Sequence, residues 1–213
     1  MIHSLTISLR RLPSLGQATS ALIVAAGLLV GAPAQAFTYW DDPTASAVTL
    51  SRADFIARAG RMDVESRLVY VNRVLNNAAR QREETEDVWK GFDRLIADGY
   101  GDCEDFAIAK YQILLAAGTA SDRLDLLAAH DTLTPTYHAV LRYRRDDGSH
   151  WILDNLTPLI LKGSERRDLE PIVAFDRDRA KHYRNGAFHA VDPARIVLGD
   201  QPLAERMPKL LDY

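Results

Sequence analysis

One helix bracketed by glycines constrains this chain more than any other stretch, because it holds the only cysteine. Asp102 is typical of an N-cap residue, and Asp105 follows three positions later, as in a capping box. Apolar residues then recur at helical spacing until Gly118, which has the position of a C′ glycine. The pattern therefore predicts a buried helix with Cys103 in its first turn. At a helix start, unpaired N–H groups and the positive end of the dipole favour thiolate over thiol.

The beginning of the chain indicates the compartment in which that thiol works. Residues 1–36 have a positive start at Arg10 and Arg11, a short apolar run and an Ala-Gln-Ala cleavage pattern at 34–36. The apolar run is short for a membrane span, although an uncleaved anchor stays open as an alternative. We therefore expect a secretory signal at 1–36 and one domain at 37–213.

Export and charge together narrow the possible functions. A single cysteine forms no internal disulfide in an exported chain, so the thiol is buried, paired with another chain or used chemically. Loss of the leader moves the formal charge from −3 to −5, because the leader carries two arginines and no acid. A mildly acidic protein of this kind is not expected to bind nucleic acid. The chain also lacks a Cys or His pair with zinc-ligand spacing.

Helical spacing predicts further helices over residues 64–80 and 88–97, and a helix is the structure that we expect for the charge-rich stretch over 176–184. Asn72 and Asn76 lie one turn apart on the first of these helices, and we expect them to make structural hydrogen bonds to a neighbouring loop. The sequence leaves open whether Trp89 packs in the core or forms a wall of the cleft beside the cysteine.

After Gly118 the pattern changes to strands joined by a tight turn. Residues 136–143 alternate between apolar and polar side chains, and 151–153 form a short apolar run. The residues Asp146-Asp147-Gly148 between them are typical of a three-residue hairpin loop with Gly148 in the left-handed conformation.

The register of this hairpin decides whether a base and its orienting group can meet. A three-residue loop pairs Val140 with Asp154, so His138 lies diagonally across from Asp154 on the same face. A two-residue loop would place the two side chains on opposite faces. The three-residue loop therefore predicts a triad of Cys103, His138 and Asp154, because a thiol nucleophile needs a base and a group that holds the base.

Carboxylates crowd around the cysteine and complicate this prediction. Asp102, Glu104 and Asp105 place negative charge beside Cys103, and nearby negative charge raises the pKa of a thiol. They could be turned away as caps, neutralised by arginine, or engaged by a hard cation such as Ca²⁺ that takes oxygen ligands. The residues alone leave these alternatives open, and the cap role suits Asp102 best.

Three segments in this order resemble the bacterial transglutaminase-like cysteine proteinases: GDCEDFAIAKY at 101–111, YHAVL at 137–141 and WILDNL at 151–156. The resemblance implies an α+β, papain/transglutaminase-like fold in which the cysteine-bearing helix packs on an antiparallel sheet. It also implies that Cys103 is the nucleophile, His138 the general base and then acid, and Asp154 the residue that orients the imidazole. The backbone N–H of Cys103 at the helix start is a natural oxyanion donor.

The same resemblance implies a cofactor and partners. It implies Ca²⁺ bound by Asp102 and Glu104, with Asp105 as a possible third ligand. It further implies a periplasmic enzyme that cleaves the N-terminal region of a large surface adhesin, and so controls biofilm attachment, under an inner-membrane receptor for cyclic di-GMP. Ala139 departs from the family pattern, which has a larger apolar residue there, so we expect a different substrate wall or packing.

We therefore expect a Ca²⁺-assisted cysteine endopeptidase that acts through an acyl-enzyme thioester. Transglutaminase or deamidase chemistry on a glutamine side chain shares the acylation step and stays open as an alternative. A catalytically silent binding module is a second alternative, which the presence of all three triad residue types disfavours.

Overall fold

The structure is a computed structural model and describes residues 51–84 and 88–211. The expected signal at 1–36 and the first part of the expected domain lie outside the described residues. In the described part of the chain, no helix combines the length and apolar character that crossing a membrane requires. The helices are α1 (Arg52–Gly60), α2 (Val64–Ala78), α3 (Phe92–Asp98), α4 (Cys103–Ala116) and α5 (Leu203–Arg206).

The strands of the described residues form one large antiparallel sheet and two small ribbons. Their bounds are β1 (Arg80–Gln81), β2 (Tyr100–Gly101), β3 (Leu124–Asp131), β4 (Thr136–Arg144), β5 (His150–Leu153), β6 (Ile160–Lys162), β7 (Leu169–Phe175), β8 (Ala180–Arg184), β9 (Ala187–Val191), β10 (Val197–Leu198) and β11 (Gln201–Pro202). Strands β1 and β2 pair in parallel, β10 and β11 form a short antiparallel ribbon, and the large sheet has the order β6-β5-β4-β3-β7-β8-β9.

Helix α4 is the centre of the fold. It packs on β4 and β3 on one side and against α1, α2 and α3 on the others. Its residues from Asp105 to Leu114 are all buried, and they include the polar side chains of Asp105, Lys110 and Gln112. The predicted α+β fold, with the cysteine-bearing helix packed on an antiparallel sheet, is confirmed.

The predicted hairpin has the register that the triad requires. Arg144 pairs with His150 and Leu141 with Leu153, so an extension of the same register would pair Val140 with Asp154. Gly148 has a φ of 79°, the left-handed conformation that the three-residue loop needs. The loop prediction is therefore confirmed.

Two helix predictions need correction. Helix α3 begins at Phe92 rather than at residue 88, because Lys90 N–H donates to Asp105 Oδ1 (2.7 Å) and Phe92 N–H donates to Gln112 Oε1 (2.7 Å) outside any helical ladder. The charge-rich stretch 176–184 is not helical. Asp176 Oδ1 accepts from the N–H groups of Asp178 and Arg179 in a turn, and Ala180–Arg184 then forms β8 beside β7.

Trp89 is a core residue. It is buried, its ring stacks on Phe175 with centroids 5.7 Å apart, and the guanidinium of Arg206 lies 5.0 Å from the Trp89 ring centroid. The structure therefore resolves the open alternative in favour of packing rather than a cleft wall.

Candidate active site

The candidate nucleophile, Cys103, lies at the start of α4, where α3 and α4 pack closely together. Asp102 is the N-cap residue, its N–H donates to Asp105 Oδ2 (3.3 Å), and Cys103 is the first helical residue. Gly101 permits this geometry, since a Cβ there would lie 2.5 Å from Asp105 Oδ2 and 2.7 Å from Leu95 Cδ1. The sequence predicted the cap and the start of the helix correctly.

The thiol of Cys103 is partly buried and makes polar contacts with Ala139 and Glu104. Ala139 N–H donates to Sγ over 3.3 Å, and the thiol lies 3.3 Å from Glu104 Oε2 as a donor. Burial first, and then the charge of Glu104, raise the pKa of the Cys103 thiol well above its ordinary value of 9.0. Because Ala139 follows His138, the contact places the thiol beside the segment that carries the imidazole.

His138 and Asp154 form a buried hydrogen-bonded pair. His138 Nε2 lies 2.9 Å from Asp154 Oδ1, and the two side chains are 6 % and 1 % exposed. This contact uses Nε2 and leaves Nδ1 as the ring nitrogen that can exchange a proton with a thiol. The hairpin register therefore brings together the two residues that the sequence selected.

Asp154 is held as an ionised carboxylate. Burial alone would raise its pKa, but the hydrogen bond and charge of His138, the N–H of Leu156 (3.0 Å) and the guanidinium of Arg166 (2.6 Å) together hold the pKa below its ordinary 3.8. The loop that follows Asp154 is fixed from α2, because Asn76 Nδ2 donates to the carbonyl of Asp154 (2.8 Å).

The two asparagines of α2 both act on this loop. Asn72 Nδ2 donates to the carbonyl of Thr157 over 3.1 Å, and Asn76 Nδ2 reaches the same carbonyl over 2.9 Å. The prediction that they make structural hydrogen bonds to a neighbouring loop is confirmed. The structure adds that this loop carries Asp154 at its start.

Three carboxylates meet behind the cysteine. One oxygen from each of Glu84, Asp102 and Asp105 lies within 4.8 Å of the others. Sequence reasoning selected Asp102 and Asp105 but missed Glu84, which belongs to a distant charged segment with no spacing signal. Glu104, the other residue of the predicted ligand set, is not a member of this group and has an oxygen beside the thiol.

The electrostatics of these three carboxylates, together with the neighbouring Glu104, fit a cation. Burial and neighbouring carboxylates raise the pKa of Glu104 to about 7 and that of Asp105 to about 8. Lys90 forms an ion pair with Glu84, and its side chain is only 3 % exposed. The Lys90 ammonium also pairs with Asp98 (3.1 Å), so within the part of the chain that the structure describes it does not balance these four carboxylates. An all-oxygen donor set is the one that Ca²⁺ prefers. The residues present therefore fit a calcium ion.

Residues 35–167 match the sequence model of the bacterial transglutaminase-like cysteine proteinase family. The chain belongs to this family and is a cysteine peptidase with a transglutaminase-like fold, as the sequence predicted.

Among solved structures, the chain is similar to LapG of Legionella pneumophila. The calcium-bound form of that protein is 29 % identical over 74 % of this chain and 86 % of that one, with a TM-score of 0.61. The EGTA-treated form is 31 % identical over 73 % and 86 %, with a TM-score of 0.60. A further LapG structure is 34 % identical over 61 % and 72 %, with a TM-score of 0.57. A sequence comparison with curated proteins gave no match.

Proposed function

We propose that this cysteine peptidase is an endopeptidase that works through a triad of Cys103, His138 and Asp154. The observation that carries the proposal is the buried 2.9 Å contact between His138 Nε2 and Asp154 Oδ1. Ala139 follows His138 in the chain, and its N–H donates to Cys103 Sγ, which supports Cys103 as the nucleophile of the same site. These two contacts support the proposal that Cys103, His138 and Asp154 act together, as a nucleophile, a base and an orienting group do in thiol hydrolases.

The geometry supports an acyl-enzyme mechanism. Nδ1 of His138 takes the thiol proton while Sγ attacks the scissile carbonyl carbon, and the backbone N–H of Cys103 at the start of α4 donates to the developing oxyanion. The imidazolium then gives its proton to the leaving amine, and a thioester remains on Cys103. Water, deprotonated by the same imidazole, hydrolyses the thioester and restores the thiol. Asp154 holds the ring and stabilises the imidazolium throughout.

We also propose that Ca²⁺ supports this site. Glu84, Asp102 and Asp105 would hold the ion, with Glu104 as the further ligand expected from the sequence. When bound, the ion supplies positive charge beside the thiol and offsets the crowded carboxylates. The calcium-bound and EGTA-treated LapG structures support this proposal, because the chain is similar to both.

The family resemblance supports a location and a substrate. We propose that the signal at 1–36 directs the protein to the periplasm, where domain 37–213 cleaves the N-terminal region of a large surface adhesin. Release of such an adhesin would end biofilm attachment. A receptor for cyclic di-GMP in the inner membrane is the proposed regulatory partner.

Incubation of the purified protein with N-terminal adhesin fragments, followed by mass spectrometry, tests the reaction. We expect backbone scission by the native protein and none by Cys103→Ala. Loss of ammonia without scission would instead identify transglutaminase or deamidase chemistry on glutamine. No covalent change in any fragment, together with an unreactive Cys103, would indicate a silent binding module.

The calcium proposal has its own experiment within the same assay. We expect a chelator to abolish scission and added Ca²⁺ to restore it. Scission that persists in the presence of the chelator would exclude the calcium proposal but not the peptidase activity.

A further inference from the structure

Asp154 has a second strong partner beside the imidazole. Its Oδ1 faces His138, while its Oδ2 accepts from Arg166 Nη1 over 2.6 Å. Arg166 is held in turn by Asp168, because its Nε lies 3.1 Å and 3.0 Å from the two carboxylate oxygens and its Nη2 lies 2.7 Å from Oδ2. The side chains of Arg166 and Asp168 are only 11 % and 14 % exposed.

The backbone anchors this arrangement to the sheet. The carbonyl of Asp168 accepts from Thr132 N–H (2.9 Å) and from the Thr132 hydroxyl (3.2 Å), immediately after the end of β3. The turn that begins there leads into β4 and His138. Through Asp168, the guanidinium of Arg166 therefore links the turn that precedes His138 to the carboxylate of Asp154.

We propose that Arg166, held by Asp168, is a positioning residue that fixes the Asp154 carboxylate towards His138. The inference rests on the proposed triad and assigns a role outside it. A planar guanidinium can bind Asp168 through two nitrogens and Asp154 through a third, whereas a lysine ammonium has no such fork. Removal of one partner from a buried ion pair also destabilises the protein strongly, since the other charge is left uncompensated.

Charge and position make separable contributions. Arg166→Lys keeps a cation but loses the two-nitrogen hold on Asp168, so Asp154 becomes less well placed. Arg166→Met removes both, so the imidazole faces a carboxylate that no guanidinium offsets and holds its proton to higher pH. Among the described residues, other charged or titratable groups that face the pair are Lys110 on α4, Asp131 at the end of β3 and the thiol of Cys103. These groups are unchanged in both variants.

Steady-state kinetics against pH, on a peptide that the native protein cleaves, tests the role. We expect Arg166→Lys to lower kcat by about tenfold with KM and the pH limits unchanged. We expect Arg166→Met to lower kcat by about 10²-fold and to move the pH limit set by the imidazole upwards by about one unit. Arg167→Met is the matched control, because Arg167 is exposed and adjacent, and native kinetics are expected.

An NMR titration of the His138 imidazole gives a readout that needs no substrate. We expect the midpoint to rise in Arg166→Met and to stay at the native value in Arg166→Lys. Native kcat in folded Arg166→Lys overturns the proposal, even where Arg166→Met fails to fold. A reduced melting temperature with native kcat per folded molecule indicates a purely structural role and also overturns it. If the native protein cleaves no peptide, the proposed function fails; a midpoint that rises in folded Arg166→Met then still supports the inference, and an unchanged midpoint overturns it.

Discussion

A buried lysine beside the site makes the stability of the protein depend on pH. Lys110 on α4 is 0 % exposed, and among the described residues its Nζ has no hydrogen-bond partner. Nζ lies 5.9 Å from the ring centroid of Phe106. Burial lowers the pKa of Lys110 from 10.5 to about 7, and the charge of Asp154 only partly opposes that shift. The native state therefore holds an amine that is neutral at alkaline pH and expensive to protonate.

The change Lys110→Met removes the ionisable group and keeps an unbranched side chain. The unfolded chain protonates Lys110 up to pH 10.5, whereas the folded chain releases the proton near pH 7. Lys110 therefore lowers the free energy of unfolding by about 4 kcal/mol at pH 7 and by about 2 kcal/mol at pH 9, because folding must displace its proton. Because the unfolded state binds more protons in this window, the lysine makes native stability rise with pH.

We therefore expect Lys110→Met to be more stable than the native protein, with the larger gain at pH 7. Urea unfolding at pH 7, 8 and 9, in constant chelator, measures the difference, and contributions from carboxylates common to both proteins cancel. The control is Lys162→Met, because Lys162 is exposed, and we expect a difference near zero at every pH. A gain that does not change with pH, or a destabilised Lys110→Met at pH 7, would refute the reasoning and indicate a paired ammonium.

Two further predictions concern the carboxylates behind the cysteine. Ca²⁺ should raise the melting temperature of Glu84→Gln less than that of the native protein. Glu83 is exposed, so the control variant Glu83→Gln should respond to Ca²⁺ like the native protein. Equal responses of the two variants would exclude Glu84 as a ligand. We expect Gly101→Ala to destabilise the fold by about 1–3 kcal/mol in chemical unfolding, because its Cβ would strike Asp105 and Leu95. Gly60→Ala is the control, since the nearest atom to its Cβ is 3.5 Å away, and a similar loss there would contradict the steric argument.

The sequence predicted the meeting of His138 and Asp154 because strand geometry is regular. Side chains alternate with a period of two residues, so a three-residue loop with Gly148 in the left-handed conformation leaves one register. The cap of α4 was equally accessible, because Asp102 and Asp105 lie within one turn of each other. Local geometry was sufficient in both cases.

Contacts between distant segments were not accessible in this way. Glu84 reaches the cysteine helix because β1 pairs in parallel with β2, with Arg80 opposite Tyr100, and strands of two residues leave no periodic signal. Arg166 follows a short strand and a turn, and its reach to Asp154 depends on the folded sheet. The stretch 176–184 misled for a different reason, since its charges resemble a solvated helix while Asp176 folds the backbone into a turn.

The reactivity of Cys103 towards iodoacetamide at mildly acidic pH, with Ca²⁺ supplied, tests the central claim most directly. An ordinary thiol is almost unreactive under these conditions, because only the thiolate attacks. Intact-protein mass spectrometry should show one carbamidomethyl group on the native protein and none on Cys103→Ala or His138→Ala. An unreactive native Cys103, or equal reaction in His138→Ala, would contradict a nucleophile activated by His138.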